Sequence, residues 1–365
     1  MGGSQTRTPS FCCQIELSPI ERADQALSRA MRIGRKAAAC CHGSARSCPV
    51  TTTASVIRRL LSGQQRVILG RRMGQNRGMA VRIPAVLAAN CRKTEERTAW
   101  LEGLPEALRI LERRWSLTVR PPFENASGSC AWVAPVMRAD GTSAVLKLAM
   151  PHFEGEDEIQ GLRFWNGEPT IRLLEADDEL GGMLLERCQP GTALGELAEP
   201  EQDVIISALL QRLWRTPSGS CLFRPLSAML EHWSAETLAE VKKWPDAGLV
   251  REGLLLFEDL SRTAPVDVLL ATDLHAGNVL RSEREPWLVI DPKPFIGDPA
   301  YDVTQHLFNC ERLLTDPEKT INRVADLLCL DRRRVQLWTF ARAAAEPRDH
   351  WSGSLITLAR AIAPA

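Results

Sequence analysis

An aspartate and an asparagine five positions apart, with a second aspartate eighteen positions after the first, mark the stretch of this 365-residue chain best equipped for chemistry. They are Asp273 and Asn278 in VLLATDLHAGNVL, and Asp291 at the end of the apolar run Trp287–Ile290 in PWLVIDPKPFIGDPAYD. Transfer of a phosphoryl group needs a carboxylate that orients a hydroxyl and accepts its proton. It also needs hard oxygen ligands that hold Mg²⁺ against a polyphosphate. A short loop carrying Asp and Asn, beside a strand end carrying a second Asp, can present all three on one side. Gly277 eases the tight path of such a loop. The competing reading makes Asp273 and Asn278 ordinary polar loop residues and Asp291 a strand terminus before Pro292. The combination of both loops with apolar strands around them favours chemistry. His275 reads as a hydrogen-bonding group of the loop, since the acids already fill the roles that phosphoryl transfer requires.

The elements that must position these residues follow from apolar spacing. Trp100, Leu104, Leu108, Leu111 and Trp115 form one helical stripe, with Pro105 expected to break it or to start a new first turn. CAWVAPVM (130–137) and SAVLKLA (143–149) flank an Asp140-Gly141 turn and predict a β-hairpin. A helix is expected over Glu154–Trp165, then strands at TIRLLEA (170–176) and GMLLER (182–187). After Pro190-Gly191 the pattern turns helical, at 201–214, 226–244 and 249–261. Short strands follow around Asp273, and helices run from Val303 onward. A β-rich first half and a helical second half predict an α+β, two-lobed architecture, and no internal repeat is visible.

Lys and Arg together number 45, as do Asp and Glu, so the formal net charge is zero. The balance conceals a basic segment, residues 1–78, with thirteen Lys/Arg against Glu16, Glu21 and Asp24, which leaves the remainder acidic by about ten charges. That segment is rich in Ser, Thr, Arg and Gly and weakly periodic. It reads as a disordered tail, an upstream extension ahead of a start at Met73 or Met79, or an Arg-rich targeting peptide, the first two being favoured. Its single aromatic, Phe11, offers no stacking platform for nucleic acid. The acidic remainder suits a cationic small-molecule partner. Eleven cysteines without a CxxC pair, five of them (Cys130, Cys188, Cys221, Cys310, Cys329) single and in apolar surroundings, predict buried thiols in a reducing cytosol. No apolar run reaches the length of a membrane span. A monomer acting on a small molecule, with neither nucleic acid nor membrane as partner, is the expectation.

DLHAGNVL followed by VIDPKPFIGDPAYD resembles the catalytic and metal loops of aminoglycoside phosphotransferases, especially the streptomycin 6-phosphotransferase group with the aminoglycoside/hydroxyurea resistance kinases. The resemblance spans roughly residues 84–365. It implies a protein-kinase-like fold, with an N-lobe over 79–188 and a C-lobe over 189–365. It also implies ATP and Mg²⁺ as cofactors, Asp273 as catalytic base, and Asn278 and Asp291 as metal ligands. These loops often begin His-Gly-Asp, whereas Ala271-Thr272 precede Asp273 here. Lys147, a cation inside an apolar run, needs an acidic partner or a phosphate. In a kinase-like fold it would touch the α/β-phosphates and a glutamate of the next helix. Glu158 is the first choice, with Glu156 and Glu154 as alternatives. Gly128 is a candidate for a turn over the phosphates. Glu186, Arg187 and Cys188 are candidates for the inter-lobe crossing that meets the purine. Asp298 and Asp302 could bind a cationic acceptor or brace the loop, with Asp302 expected to cap a helix.

Overall fold

Side chains alternate across a strand, so Ala144, Leu146 and Leu148 face one side of Ser143–Ala149 while Val145 and Lys147 face the other. That alternation sets the plan of the first lobe. The computed structural model describes residues 81–124, 130–217, 223–347 and 351–364. Its first lobe is an antiparallel sheet ordered β1 (Leu117–Val119), β2 (Ala131–Arg138), β3 (Ser143–Ala149), β5 (Gly182–Glu186) and β4 (Leu173–Asp177). The β2–β3 hairpin pairs Val133 with Lys147, and Lys147 in turn lies opposite Met183 of β5.

Two helices precede the sheet, α1 (Ala85–Cys91) and α2 (Glu95–Arg114). Thr94 caps α2, accepting from Arg97 N, and Glu95 and Glu96 complement the positive end of the helix. Pro105 neither breaks this helix nor restarts it. A proline here costs about 3 kcal/mol. Trp100 and Leu104 before it, and Ala107, Leu108 and Leu111 after it, are all buried, and each large apolar side chain returns about 1.5–3 kcal/mol. They pack on Trp132, Ala134, Leu146, Leu148 and Leu184 as the core of the first lobe.

The opposite sheet face is where the lobes meet. Met183 and Leu185 cluster there with Ile159 and Leu162 of α3 (Glu158–Trp165), with Ile171, and with Leu288 from the second lobe. The helix expected over 154–165 is split, because Phe153–Gly155 makes a separate 3₁₀ turn. The strand expected from Thr170 begins at Leu173.

The second lobe starts with β6 (Pro190–Ala193) and α4 (Glu199–Leu213). It continues through α5 (Leu226–Ala239), α6 (Ala247–Arg262) and β7 (Val268–Leu270). A hairpin follows, β8 (Val279–Ser282) with β9 (Trp287–Val289), then β10 (Phe295–Gly297) against β7. The last helices are α7 (Pro299–Phe308), α8 (Arg312–Thr315), α9 (Pro317–Leu328), α10 (Arg332–Ala345) and α11 (Gly353–Ala361). α7 starts at Pro299, four residues earlier than the apolar pattern suggested, because Asp298 caps it through Ala300 N. No helix among the described residues is long and apolar enough to cross a membrane. Residues 1–80, including the basic segment, and Gly128 lie outside the described residues.

Candidate active site

The loop after β7 is held from behind. Asp302, fully buried on α7, accepts hydrogen bonds from Ala271 N (3.0 Å), Thr272 N (2.7 Å) and Trp214 Nε1 (3.0 Å). Burial pushes its carboxyl pKa up, against the pull of these donors. Thr272 sits in the left-handed region at φ 46°, a costly place for a β-branched residue. Its hydroxyl donates to Lys293 O at 2.6 Å. Where the resembling loops carry glycine before the aspartate, this chain thus has a residue that ties the two loops together. Past Asp273, His275 Nδ1 accepts from Gly277 N (3.1 Å) and caps a single 3₁₀ turn, Ala276–Asn278. A side chain at Gly277 would collide with the His275 ring.

Asp273 is oriented by two amides. Gln305 Nε2 of α7 donates to its Oδ1 at 2.8 Å, and Asn278 Nδ2 donates to its backbone oxygen at 2.9 Å and reaches Oδ2 at 3.5 Å. Gln305 is itself fixed by the buried Arg342 of α10, which donates to Gln305 Oε1 at 2.8 Å. The guanidinium therefore turns the amide nitrogen toward Asp273 without touching the carboxylate. Burial raises the Asp273 pKa to about 6, with Lys293 the strongest opposing charge.

Asp291 stands at the far side of the β8–β9 hairpin base. Ile290 N donates to Asn278 O at 2.9 Å, which brings Asn278 and Asp291 side by side. Asp291 lies in the left-handed region at φ 54° and keeps 28% of its side chain exposed. Its Oδ1 accepts from Lys147 Nζ at 2.5 Å and also from Lys293 Nζ. Burial opposes its charge, but the two ammoniums hold its pKa well below the usual carboxylate range. Lys147 also donates to Glu158 Oε1 at 2.5 Å. Lys293 approaches Glu158 Oε2 to 3.6 Å, an ion pair beyond hydrogen-bond range.

The structure therefore brings Asp273, Asn278, Asp291, Lys147 and Glu158 together. Glu154 and Glu156 point elsewhere, Glu154 accepting from Trp233 Nε1 and Glu156 pairing with Arg224. Hard oxygens of Asp291 and Asn278 suit Mg²⁺. The Asn278 amide fits in orientation, since its nitrogen is spent on Asp273 and leaves the carbonyl oxygen for a cation.

Asp298 and Asp302 are not placed to meet an acceptor. Asp298, 1% exposed, accepts from Ala300 N, Trp338 Nε1 (2.6 Å) and Arg334 Nε (2.5 Å), and it rather than Asp302 caps α7. Glu186 at the lobe crossing spends its backbone N–H on Arg172 O (2.9 Å), because pairing with the strand beside it continues past β4. Its carboxylate binds Arg284 Nε and Nη2 at 2.9 and 2.8 Å. Arg187 is exposed, and burial pushes the half-buried Cys188 thiol up to about 11.

Lys293, Gln305 and Arg342 were not anticipated. Lys293 carried a signal, a lysine between two prolines in an otherwise apolar run two residues past Asp291. Gln305 and Arg342 carried none, because only the packing of α7 and α10 delivers them.

The family model for aminoglycoside/hydroxyurea antibiotic resistance kinases matches residues 114–348. A streptomycin 6-kinase of Streptomyces glaucescens is 38% identical over 276 residues, covering 72% of this chain and 88% of that protein. A hydroxyurea phosphotransferase of Kitasatospora aureofaciens is 35% identical over 288 residues, covering 77% and 84% respectively. Among solved structures, choline kinase LicA from Streptococcus pneumoniae superposes with a TM-score of 0.50 at 12% identity, over 71% of this chain and 99% of that one. That likeness concerns the fold alone, which is protein-kinase-like. The chain is a member of the aminoglycoside/hydroxyurea antibiotic resistance kinase family, phosphotransferases that act on a hydroxyl.

Proposed function

We propose that this protein transfers the γ-phosphoryl group of ATP to a hydroxyl of an aminocyclitol antibiotic, streptomycin at its 6 position being the leading acceptor. The observation that carries this reading is the meeting of two loops, Asp273 and Asn278 on one and Asp291 on the other, beneath the Lys147–Glu158 pair. Asp273 orients the acceptor hydroxyl and takes its proton. The acceptor oxygen forms a bond to the γ-phosphorus, the bond from that phosphorus to the bridging oxygen breaks, and ADP leaves with the electron pair. Asn278 and Asp291 would hold Mg²⁺, which when bound supplies charge neutralisation for the phosphates. Lys147, positioned by Glu158, neutralises the inner phosphates. The half-buried Val145, Cys188 and Ile290 line the junction of the lobes and suit the flat apolar face of a purine.

The acidic balance of residues 79–365 suits a cationic acceptor, and the protein is read as a cytoplasmic monomer. A second acceptor, hydroxyurea, is favoured by the Kitasatospora relative at 35% identity. Mass spectrometry of each compound after incubation with enzyme, ATP and Mg²⁺ tests both. A gain of one phosphate on streptomycin, with fragmentation placing it at position 6, is the expected result. Phosphate on hydroxyurea alone selects the second acceptor, and modification of neither overturns both.

A further inference from the structure

Lys293 is a second buried cation in a site that the resemblance furnishes with one. Its backbone is zipped to the approach of the catalytic loop, with N donating to Ala271 O at 2.8 Å and O accepting from Thr272 Oγ1 at 2.6 Å. Its side chain, 9% exposed, runs from there to Asp291 Oδ1 and to within 3.6 Å of Glu158 Oε2. Lys293 thus bridges the interval between the two loops, its backbone beside the approach to Asp273 and its ammonium on Asp291. In an in-line transfer, that interval holds the terminal phosphate.

Charge balance points the same way. Without nucleotide, two ammoniums face the carboxylates of Glu158 and Asp291. With Asp291 engaged by a metal ion, Lys147 would retain Glu158 Oε1 at hydrogen-bond distance, whereas Lys293 would keep only Glu158 Oε2 beyond that distance. A buried ammonium left so poorly paired is costly, and an anion arriving beside Asp273 removes the cost. Lys293 is also the charge that acts most strongly on Asp273. The two lysines therefore differ in origin, Lys147 coming from the sheet of the first lobe and Lys293 from the loop that runs beside the catalytic one.

We propose that Lys293 contacts the transferred γ-phosphoryl group, leaving the inner phosphates to Lys147. This rests on the ATP-dependent reading above.

Binding separates the two lysines without requiring turnover. Calorimetry with Mg²⁺ would compare ADP with a non-hydrolysable ATP analogue on the full chain, Lys293→Met and Lys147→Met. Lys293→Met should weaken the triphosphate by about ten- to a hundredfold, the worth of one charge-assisted hydrogen bond, and leave ADP within about twofold. Lys147→Met should weaken both. Equal losses for the two nucleotides with Lys293→Met, or no loss, would show that Lys293 only neutralises Glu158, and the proposal fails. Should Lys293→Met not fold, Lys293→Arg keeps the charge but moves its donors. It must shift the triphosphate selectively, and a shift in both nucleotides or in neither sinks the idea. If the unaltered protein binds neither nucleotide, the ATP reading itself falls and takes this inference with it.

Discussion

At the scale of single residues, the site depends on keeping a carboxylate both oriented and basic. Gln305 holds Asp273 through a neutral amide, while Arg342 stands one step back. A guanidinium placed directly on Asp273 would lower its pKa, whereas burial here raises it to about 6. With Asp273 as the proposed base, active when deprotonated, kcat/KM should be level above pH 6 and fall about tenfold per unit below it. A profile flat to pH 4.5 would refute that assignment. Asp273→Ala should lower kcat by several orders of magnitude with the fold retained, as circular dichroism would show. Gln305→Leu should lower kcat by roughly ten- to a hundredfold with little change in KM for ATP, as expected when a positioned acid–base group loses its alignment. Steady-state kinetics on that variant would show whether the loss falls instead on KM.

At the scale of elements, the question is what seats α3, and with it Glu158, against the second lobe. Arg224 packs against the stacked rings of Phe153 and Phe295, its guanidinium carbon 4.5 and 4.8 Å from their centroids. It also donates to Asp157 Oδ2 and Phe153 O, each at 2.7 Å. One guanidinium therefore joins the entry to α3 with β10, the strand that follows the Asp291 loop. Arg224→Ala should lower the unfolding free energy by about 2–4 kcal/mol and raise KM for ATP, with Arg224→Lys recovering part of the kinetic loss. Thermal unfolding and nucleotide titration of the pair measure both effects. None of this was legible in the sequence, since Phe153, Arg224 and Phe295 belong to segments with no shared pattern. The hairpin carrying Lys147 was legible, because strand periodicity and an Asp-Gly turn are local signals. The two loops that bring Asp273, Asn278 and Asp291 together were legible as local motifs as well. The continuity of α2 through Pro105 was not, because burial on the sheet outweighs a propensity that the sequence displays alone.

At the scale of the whole molecule, two lobes meet across one apolar seam and several ion pairs. Arg284, in the β8–β9 turn, binds Glu186 at the lobe crossing and the carbonyl oxygens of Gly167 and Thr170. Among the described residues the first lobe's core begins at Val81 and Ile83, and Trp132 Nε1 donates to Arg82 O at 2.9 Å. Removing residues 1–78 should therefore leave the melting temperature within about 2 °C, a small fraction of the shift that loss of a core contact gives, and turnover nearly unchanged. A truncated protein that aggregates or loses activity would move the domain boundary upstream. The paired ammoniums and carboxylates of Lys147, Lys293, Glu158 and Asp291 have a practical corollary. Both cations are matched by acids of the same chain, so folding does not wait on a bound phosphate to offset their charge.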